Sequence, residues 1–499
     1  MGKIRPLLLS GLAGALLLVS LVTFYTPETQ ASDTPFSNNS TLGANNNTTS
    51  IMRLPSQEGF SVRLLAANFS APYNILYGPD GALWITERVG KVITRVDPES
   101  GSKLGSIPVP NVHQSAPQDG LMGMAFDPAF NNTHHIYVAY TYDADPSDAL
   151  DRRVKITRFT YDAAAGTIGN PVDLISGLYG STDHNSGRMT FGPDGKLYYT
   201  IGDQGKNYLA NYCLENQAQS LPTAEQVAAR NWTAYQGKVL RMNPDGSIPD
   251  DNPVINGVRS HILTYGHRNP QGIAVGPNGN SLYVSEHGDK SDDELNRLQA
   301  GGNYGWPNVA GYNDDKAYQY VNWSGAKNCK DLKFDNTAPP PPGVPVMNES
   351  EFDAPNFVPP VHTFYTVENG YNFRDPACGD LTYICWPTVA PSSLRLYTSD
   401  AIPGWQDTFL MTTLKAGKIF QLALDENGTA LARDPVELFR SENRYRDLAF
   451  SPDGSTIYVI TDSSGPAQAI GGGATINLWN PGSVLVFRYE GTGGASMSK

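Results

Sequence analysis

Gly78-Pro79-Asp80-Gly81 leads into Leu83-Trp84-Ile85, and the same phrase returns along the chain. Gly192-Pro193-Asp194-Gly195 precedes Leu197-Tyr198-Tyr199. Gly276-Pro277-Asn278-Gly279 precedes Leu282-Tyr283-Val284, and Ser451-Pro452-Asp453-Gly454 precedes Ile457-Tyr458-Val459. Ala125-Phe126-Asp127-Pro128 with Ile136-Tyr137-Val138 is a variant with a longer turn. Gly404-Trp405-Gln406-Asp407 before Phe409-Leu410-Met411 is a degenerate sixth copy. Each copy reads as strand, tight turn, strand: Pro presets the first φ of the turn, and Gly or Asn accepts positive φ. A second phrase, Gly90-Lys91-Val92-Ile93, Gly237-Lys238-Val239-Leu240 and Gly417-Lys418-Ile419-Phe420, adds a further strand to several copies. Multi-strand units repeated at tens of residues point to a β-propeller. The expected fold is therefore all-β, with six blades of four-stranded antiparallel sheets and long functional loops on the top face.

The rest of the chain agrees with that reading. Gly, Pro, Asn, Asp and Tyr are abundant, and the clearest helical stretch is Thr223 to Arg230. A formal net charge of −13 argues against nucleic acid as a partner, which calls for a basic face. Residues 1–31 read as a secretory signal: Lys3 and Arg5 are basic, Leu7 to Val22 is apolar, and Thr29-Gln30-Ala31 offers a cleavage site. Residues 32–52 form a Ser/Thr/Asn-rich leader without the apolar residues to order it. The propeller is expected over 53–490 and a flexible tail over 491–499. The apolar run is shorter than the roughly 20 residues of a membrane span. The mature protein is expected to be periplasmic or secreted. In such a compartment disulfides form. Cys378 and Cys385 enclose a short loop with no His or third Cys nearby for zinc, which favours a bridge between them. For Cys213 and Cys329, pairing depends on the fold.

Four clusters carry chemistry. Asp183-His184 stands before the strand-like run Met189 to Ile201, and a carboxylate beside an imidazole suits a general base. The alternative is a hydrogen-bonded surface turn. Gly266-His267-Arg268-Asn269-Pro270-Gln271-Gly272 offers an Arg to polarise a developing oxyanion, or to cap blade carbonyls. Arg444 and Arg446 lie two apart on a strand and face one side, as an anion site or as two ion pairs. Glu286 to Glu294, with Asn313-Asp314-Asp315, reads as hard-cation ligands or as a solvated acidic loop.

The order of these motifs closely resembles the soluble glucose dehydrogenases that use pyrroloquinoline quinone (PQQ), within the glucose/sorbosone dehydrogenase family. It runs from about Phe60 to about Tyr489. It includes Gln118-Asp119-Gly120-Leu121, Asp183 through Arg188, Tyr198 through Gly205, Gly266 through Gly272, Gly301 through Tyr312, Thr382 through Ser393 and Asn443 through Asp447. The resemblance implies a six-bladed propeller with the cofactor on its top face, and oxidation of an aldose at C1 to the lactone. It casts His184 as the base, Asp183 as its supporting carboxylate and a substrate contact, and Arg268 as the group polarising the quinone, with Asn269 beside it. Gln118, Thr388, Lys415, Arg444 and Arg446 are implied cofactor contacts. Gln118, Tyr208, Tyr383 and Trp386 are implied to line the sugar site. Backbone carbonyls of Gly288 and Asp289 would hold a catalytic calcium, and Glu294, Tyr304, Ala310, Tyr312, Asp314 and Glu349 a structural one. The Cys378–Cys385 bridge is implied here as well. An external electron acceptor, a quinone, cytochrome or dye, and a homodimer are also implied. Tyr208 departs from the Gln of glucose enzymes, and His287-Gly288-Asp289 from their Gln-Gly-Pro. Two other classes share the fold: a calcium-dependent lactonase-like hydrolase and a non-catalytic binding propeller.

Overall fold

The structure, a computed structural model, describes residues 53–491. The expected signal (1–31) and leader (32–52) lie outside them, as do residues 492–499 of the expected tail. Six four-stranded sheets are present, all with antiparallel pairing. Their first strands are Pro72–Tyr77, Leu121–Phe126, Met189–Phe191, Asn269–Val275, Pro391–Tyr397 and Tyr445–Phe450. Each first strand neighbours that of the next blade, and the sixth neighbours the first, so the sheets close into a six-bladed propeller. Each copy of the first repeated phrase is the hairpin between the first and second strands of one blade, the degenerate copy included, and the second phrase leads into third strands. Gly81 (φ 79°) and Gly195 (φ 68°) take the conformation that a side chain disfavours. The turn Asp also pins the aromatic residue of the second strand. Asp80 Oδ1 accepts from Trp84 Nε1 at 2.9 Å, and Asp194 Oδ2 accepts from the Tyr198 hydroxyl at 2.7 Å. Apolar residues fill the spaces between blades, as where Tyr137, Ile156, Tyr199 and Leu240 pack together.

The ring is closed by a strand from the start of the propeller. Phe60–Ala66 is the outer strand of the last blade and pairs with Val484–Tyr489. At the axis, Arg188 is fully buried. Its guanidinium donates to the carbonyls of Gln271 (3.1 Å), Tyr73 (3.3 Å) and Ser392 (2.8 Å), and to Asp447 Oδ2 (2.8 Å). One side chain thus links strands of four other blades.

Antiparallel pairing sends the start of each first strand and the end of each second strand to the same face, opposite the repeated turns. Long connections gather there. The expected helix at 223–230 is a shorter one, Ala224–Ala228, in the connection after Ile201. Thr223 caps it, in a capping box with Gln226. Cys378 and Cys385 are bonded. Cys213 and Cys329, 116 residues apart, are also bonded, with Cα atoms at 5.7 Å. This second bridge joins the connection of blade 3 to the insertion between Arg297 and His362 of blade 4.

Candidate active site

His184 lies on this face, buried, in a left-handed conformation (φ 48°) that only a constrained site holds in a residue with a side chain. Its carbonyl passes so close to Gly202 that a Cβ there would meet it at 2.2 Å. His184 Nδ1 lies 2.7 Å from Asp203 Oδ1. Asp203 also accepts from the Gly205 amide (2.8 Å), Asn216 Nδ2 (3.0 Å) and Trp306 Nε1 (2.7 Å). Burial raises the Asp203 carboxyl, but the charge and hydrogen bond of His184 and the charge of Arg268 outweigh it and hold the group below the usual range. Asp183, the support expected from the sequence, stands further from the ring. Its Oδ1 is 3.7 Å from His184 Nε2, and it accepts from Gln118 Nε2 and the His184 amide. Gln118 Oε1 accepts from that same amide at 3.1 Å, so Asp183 and Gln118 both hold the His184 backbone, while the shortest contact to the ring is that of Asp203.

Arg268 is buried, and its carbonyl accepts from the Asp203 amide at 2.8 Å. Its guanidinium lies over the rings of Tyr208 (5.2 Å) and Trp306 (5.3 Å), with Asp289 Oδ1 at 3.8 Å. Arg268 Nε is buried without a hydrogen-bond partner. Asn269 Oδ1 accepts from Ser186 Oγ and Gln271 Nε2, each at 3.0 Å. Tyr208 stacks against His184 (6.2 Å between centroids, 21° between planes), so its ring lies beside both the imidazole and Arg268. Neighbouring Asn207 is engaged elsewhere, with Val321 and Ser324.

Further round the face, Arg446 grips Asp462 with two bonds of 2.8 Å, and Arg444 approaches the same carboxylate at 3.3 Å. The two side chains do meet on one side, and the structure shows the ion-pair alternative: both face Asp462. The charge of Arg88 also acts on Asp462, without an ion pair between them. Lys415 Nζ donates only to neutral oxygens: the Tyr383 and Trp386 carbonyls, at 2.9 Å each, and Thr388 Oγ1. Burial pushes this ammonium down to about 7, partly offset by Asp293. The Tyr383 side chain is exposed, while Trp386 is buried and donates to the Phe373 carbonyl at 2.9 Å. Surplus positive charge, an ammonium lacking a carboxylate and an unpartnered Arg268 nitrogen suit a flat ligand with several carboxylates. PQQ has that chemistry.

The acidic stretch folds into a cradle. Glu294 Oε1 accepts from the Gly311 amide at 2.6 Å, and Glu349 accepts from the Ala310 and Asp315 amides at 3.0 Å each. A Cβ on Gly311 would meet Asp292 Oδ1 at 2.7 Å, and Asp292 Oδ2 is buried without a partner. Burial, with the charges of Asp314 and Asp292, pushes Glu349 up to about 8. Burial and Glu286 raise Glu294 far above the carboxylate range. Among the described residues no three His, Cys, Asp or Glu side chains are grouped closely enough to form a metal site by themselves. Asp292 joins the residues expected there. The Tyr304 hydroxyl donates to the Arg297 carbonyl (2.6 Å), and Tyr312 lies exposed at the rim. Asp289 faces Arg268 and Lys290 (3.0 Å), and His287 Nε2 is tied to the Pro391 carbonyl at 2.8 Å.

Asp203 and Asp462 were not singled out from the sequence, yet a signal exists. Glu87, Asp203, Glu286 and Asp462 each stand at or just past the end of a blade's second strand, on the site's face. Aligning the repeats at that point exposes them.

The geometry defines a propeller with a carboxylate-held imidazole and a cationic bed on one face. The model of the Glucose / Sorbosone dehydrogenase family matches residues 69–353 and 370–469, and the chain belongs to that family. It is 50% identical over 440 residues to quinoprotein glucose dehydrogenase B of Acinetobacter calcoaceticus, covering 87% of this chain and 92% of that one. Aldose sugar dehydrogenase YliI of Escherichia coli is 28% identical over 407 residues, or 81% and 90% of the two chains. The PQQ-bound aldose sugar dehydrogenase of Streptomyces coelicolor superposes with a TM-score of 0.56 at 25% identity, over 87% of this chain and 99% of that one.

Proposed function

We propose that this chain is a PQQ-dependent aldose dehydrogenase that oxidises the C1 hydroxyl of glucose and related mono- or disaccharides to the lactone. The observation that carries this reading is the meeting of His184–Asp203 and Arg268 with a bed of buried cations on one face. A lactonase-like hydrolase has no use for that bed. A binding propeller has no use for an imidazole held in a left-handed conformation by a buried carboxylate. Bound PQQ supplies the two-electron acceptor chemistry. Lys415, Arg444 and Arg446 would hold its carboxylates. Asp203 takes the Nδ1 proton of His184 in hydrogen bond, which leaves the Nε2 lone pair free to receive the sugar's C1 hydroxyl proton. Arg268 faces the negative charge that the reaction develops, and Tyr208 shields it from water. Backbone carbonyls of Gly288 and Asp289 would hold a calcium ion as a Lewis acid, since the Asp289 carboxylate already faces Arg268 and Lys290. Electrons then pass to an external acceptor. The two disulfides suit a periplasmic or secreted protein. Among the described residues no helix is long and apolar enough to cross a membrane.

The test adds PQQ and calcium to purified apoprotein. A bound-quinone spectrum with glucose-dependent dye reduction is expected. A bound quinone without sugar-dependent reduction rejects the assignment. Arg446→Ala should weaken PQQ binding by about 1.5–3 kcal/mol, the range for bonds to charged groups. An unchanged titration midpoint removes Arg446 from the cofactor site.

The carboxylate cradle makes a further prediction. Without a cation, Glu349 at about 8 keeps a proton that the unfolded chain, at its ordinary 4.5, releases. Its contribution to stability is thus full below about pH 4.5 and is lost as pH rises toward 8. A bound cation removes that loss. Calcium should therefore raise Tm more at pH 8 than at pH 5, and equal gains, or none, rule out a cation at this cluster.

Tyr208 gives the sugar an apolar wall where an amide would give directed bonds. The wild type is expected to accept hexoses, pentoses and disaccharides broadly, and Tyr208→Gln to narrow that range. Identical kcat/KM profiles across a sugar panel would remove Tyr208 from specificity.

A further inference from the structure

Asp293 lies in the acidic stretch from Glu286 to Glu294, yet both of its carboxylate oxygens bind backbone amides. It opens the third strand of blade 4, Asp293–Arg297, and is 1% exposed. Oδ1 accepts from the Gly288 amide at 2.8 Å, and Oδ2 accepts from the Val389 and Ala390 amides at 2.7 Å each. No step above uses this residue.

The three amides come from two segments of the site. Gly288 stands in the turn between the second and third strands of blade 4, the turn whose carbonyls would hold calcium. A Cβ on Gly288 would collide with the Ser291 carbonyl, so the turn is folded tightly on itself. Val389 and Ala390 lead into the first strand of blade 5, Pro391–Tyr397, and Ala390 is held at φ 56°, which a side chain disfavours. Their carbonyls in turn hold the chain on either side of Lys415: the Leu414 amide donates to Ala390 at 2.9 Å, and the Ala416 amide to Val389 at 3.3 Å. Thr388, one residue before, touches Lys415 Nζ itself.

The charge is placed as well as the bonds. Lys415 Nζ meets the neutral oxygens of Tyr383, Trp386 and Thr388, and Asp293 is the charged group that acts on it. Burial raises the Asp293 carboxyl, and the charge of Lys415 with the three amides offsets part of that rise. A buried carboxylate bonded to three amides cannot shift without leaving donors unsatisfied, so the two segments are fixed relative to each other.

We propose that Asp293 is a positioning residue for the cofactor bed: it locks the calcium turn of blade 4 to the Lys415 shelf of blade 5 and supplies the negative charge that the Lys415 ammonium otherwise lacks. The proposal rests on the PQQ-dependent reading, in which these two segments would hold calcium and a quinone carboxylate.

PQQ titrations of the wild type, Asp293→Asn, Lys415→Met and the double variant test it, read by the absorbance of bound quinone and not by turnover. Asn keeps the shape, removes the charge and turns an amide donor toward backbone groups that need an acceptor. At saturating calcium, Asp293→Asn is expected to weaken PQQ binding about tenfold, the scale of one bond to a charged group, and by about threefold or less once Lys415 is Met. The calcium concentration for half-maximal PQQ uptake should rise about tenfold in Asp293→Asn. A merely structural carboxylate costs the same factor with or without Lys415. Equal factors in the two backgrounds, or an unchanged calcium midpoint, overturn the proposal. Amide exchange of the wild-type apoprotein needs no substitution: Gly288, Val389 and Ala390 should exchange far more slowly than exposed loop amides. Exchange at the loop rate overturns it as well. A wild type that binds no PQQ rejects the dehydrogenase reading, and the proposal with it.

Discussion

His184→Ala lowers sugar turnover by about two to four powers of ten, the usual contribution of a positioned general base, while PQQ uptake stays near that of the wild type. Asp203→Asn is expected to fall in the same range for a different reason. A carboxylate 2.7 Å from Nδ1 favours the tautomer that carries its proton on that nitrogen and its lone pair on Nε2. An amide nitrogen in that place donates instead, and the proton moves to Nε2, where the base is needed. The Asn216 and Trp306 bonds to Asp203 fix which way the side chain lies. Asp183→Asn leaves the ring's partner intact and should cost much less. Stopped-flow reduction at saturating cofactor, over a pH series, separates the three. Activity of His184→Ala within a few-fold of wild type removes it as the base. An Asp183→Asn loss exceeding that of Asp203→Asn returns the supporting role to Asp183.

Arg188→Met should destabilise the folded protein by about 3–5 kcal/mol, as when one partner of a buried ion pair is removed. The guanidinium satisfies three carbonyls from three blades and one oxygen of Asp447, all out of reach of water. Met fills similar space and satisfies none of them. Asp447 retains Arg395 (2.9 Å) and Asn74 (2.6 Å), so the axis loses its carbonyl anchors more than its charge balance. Arg95→Met, which breaks the partly exposed pair with Asp80, is the control and should cost about 1 kcal/mol or less. Urea midpoints read both. A cost for Arg188→Met no larger than the control shows that the axis is held by packing alone.

The residues expected to form the site come from connections spread over more than 300 positions, from Gln118 to Arg446. Their types are legible because each chemistry restricts the choice: an imidazole for the proton, guanidinium and ammonium groups for carboxylates, clustered acids for a cation. Their partners were not legible. Asp183 adjoins His184 in the chain, but its carboxylate stays 3.7 Å from Nε2, while Nδ1 meets Asp203, 19 residues on, at 2.7 Å. Arg444 and Arg446 face one side, as a strand requires, while the carboxylate between them, Asp462, arrives from the neighbouring strand.

The sequence by itself determined the blades. Pro at the first turn position, Gly at positive φ and alternating strands act within a few residues, so each hairpin is written where it forms. The Cys378–Cys385 loop is local in the same sense. Only the tertiary structure decided how the ring closes, with Phe60–Ala66 carried to Val484–Tyr489, and how Cys213 finds Cys329. It also decided which acid holds His184. Those contacts join residues that no local preference relates, and they exist only once six blades have set the distances between their loops.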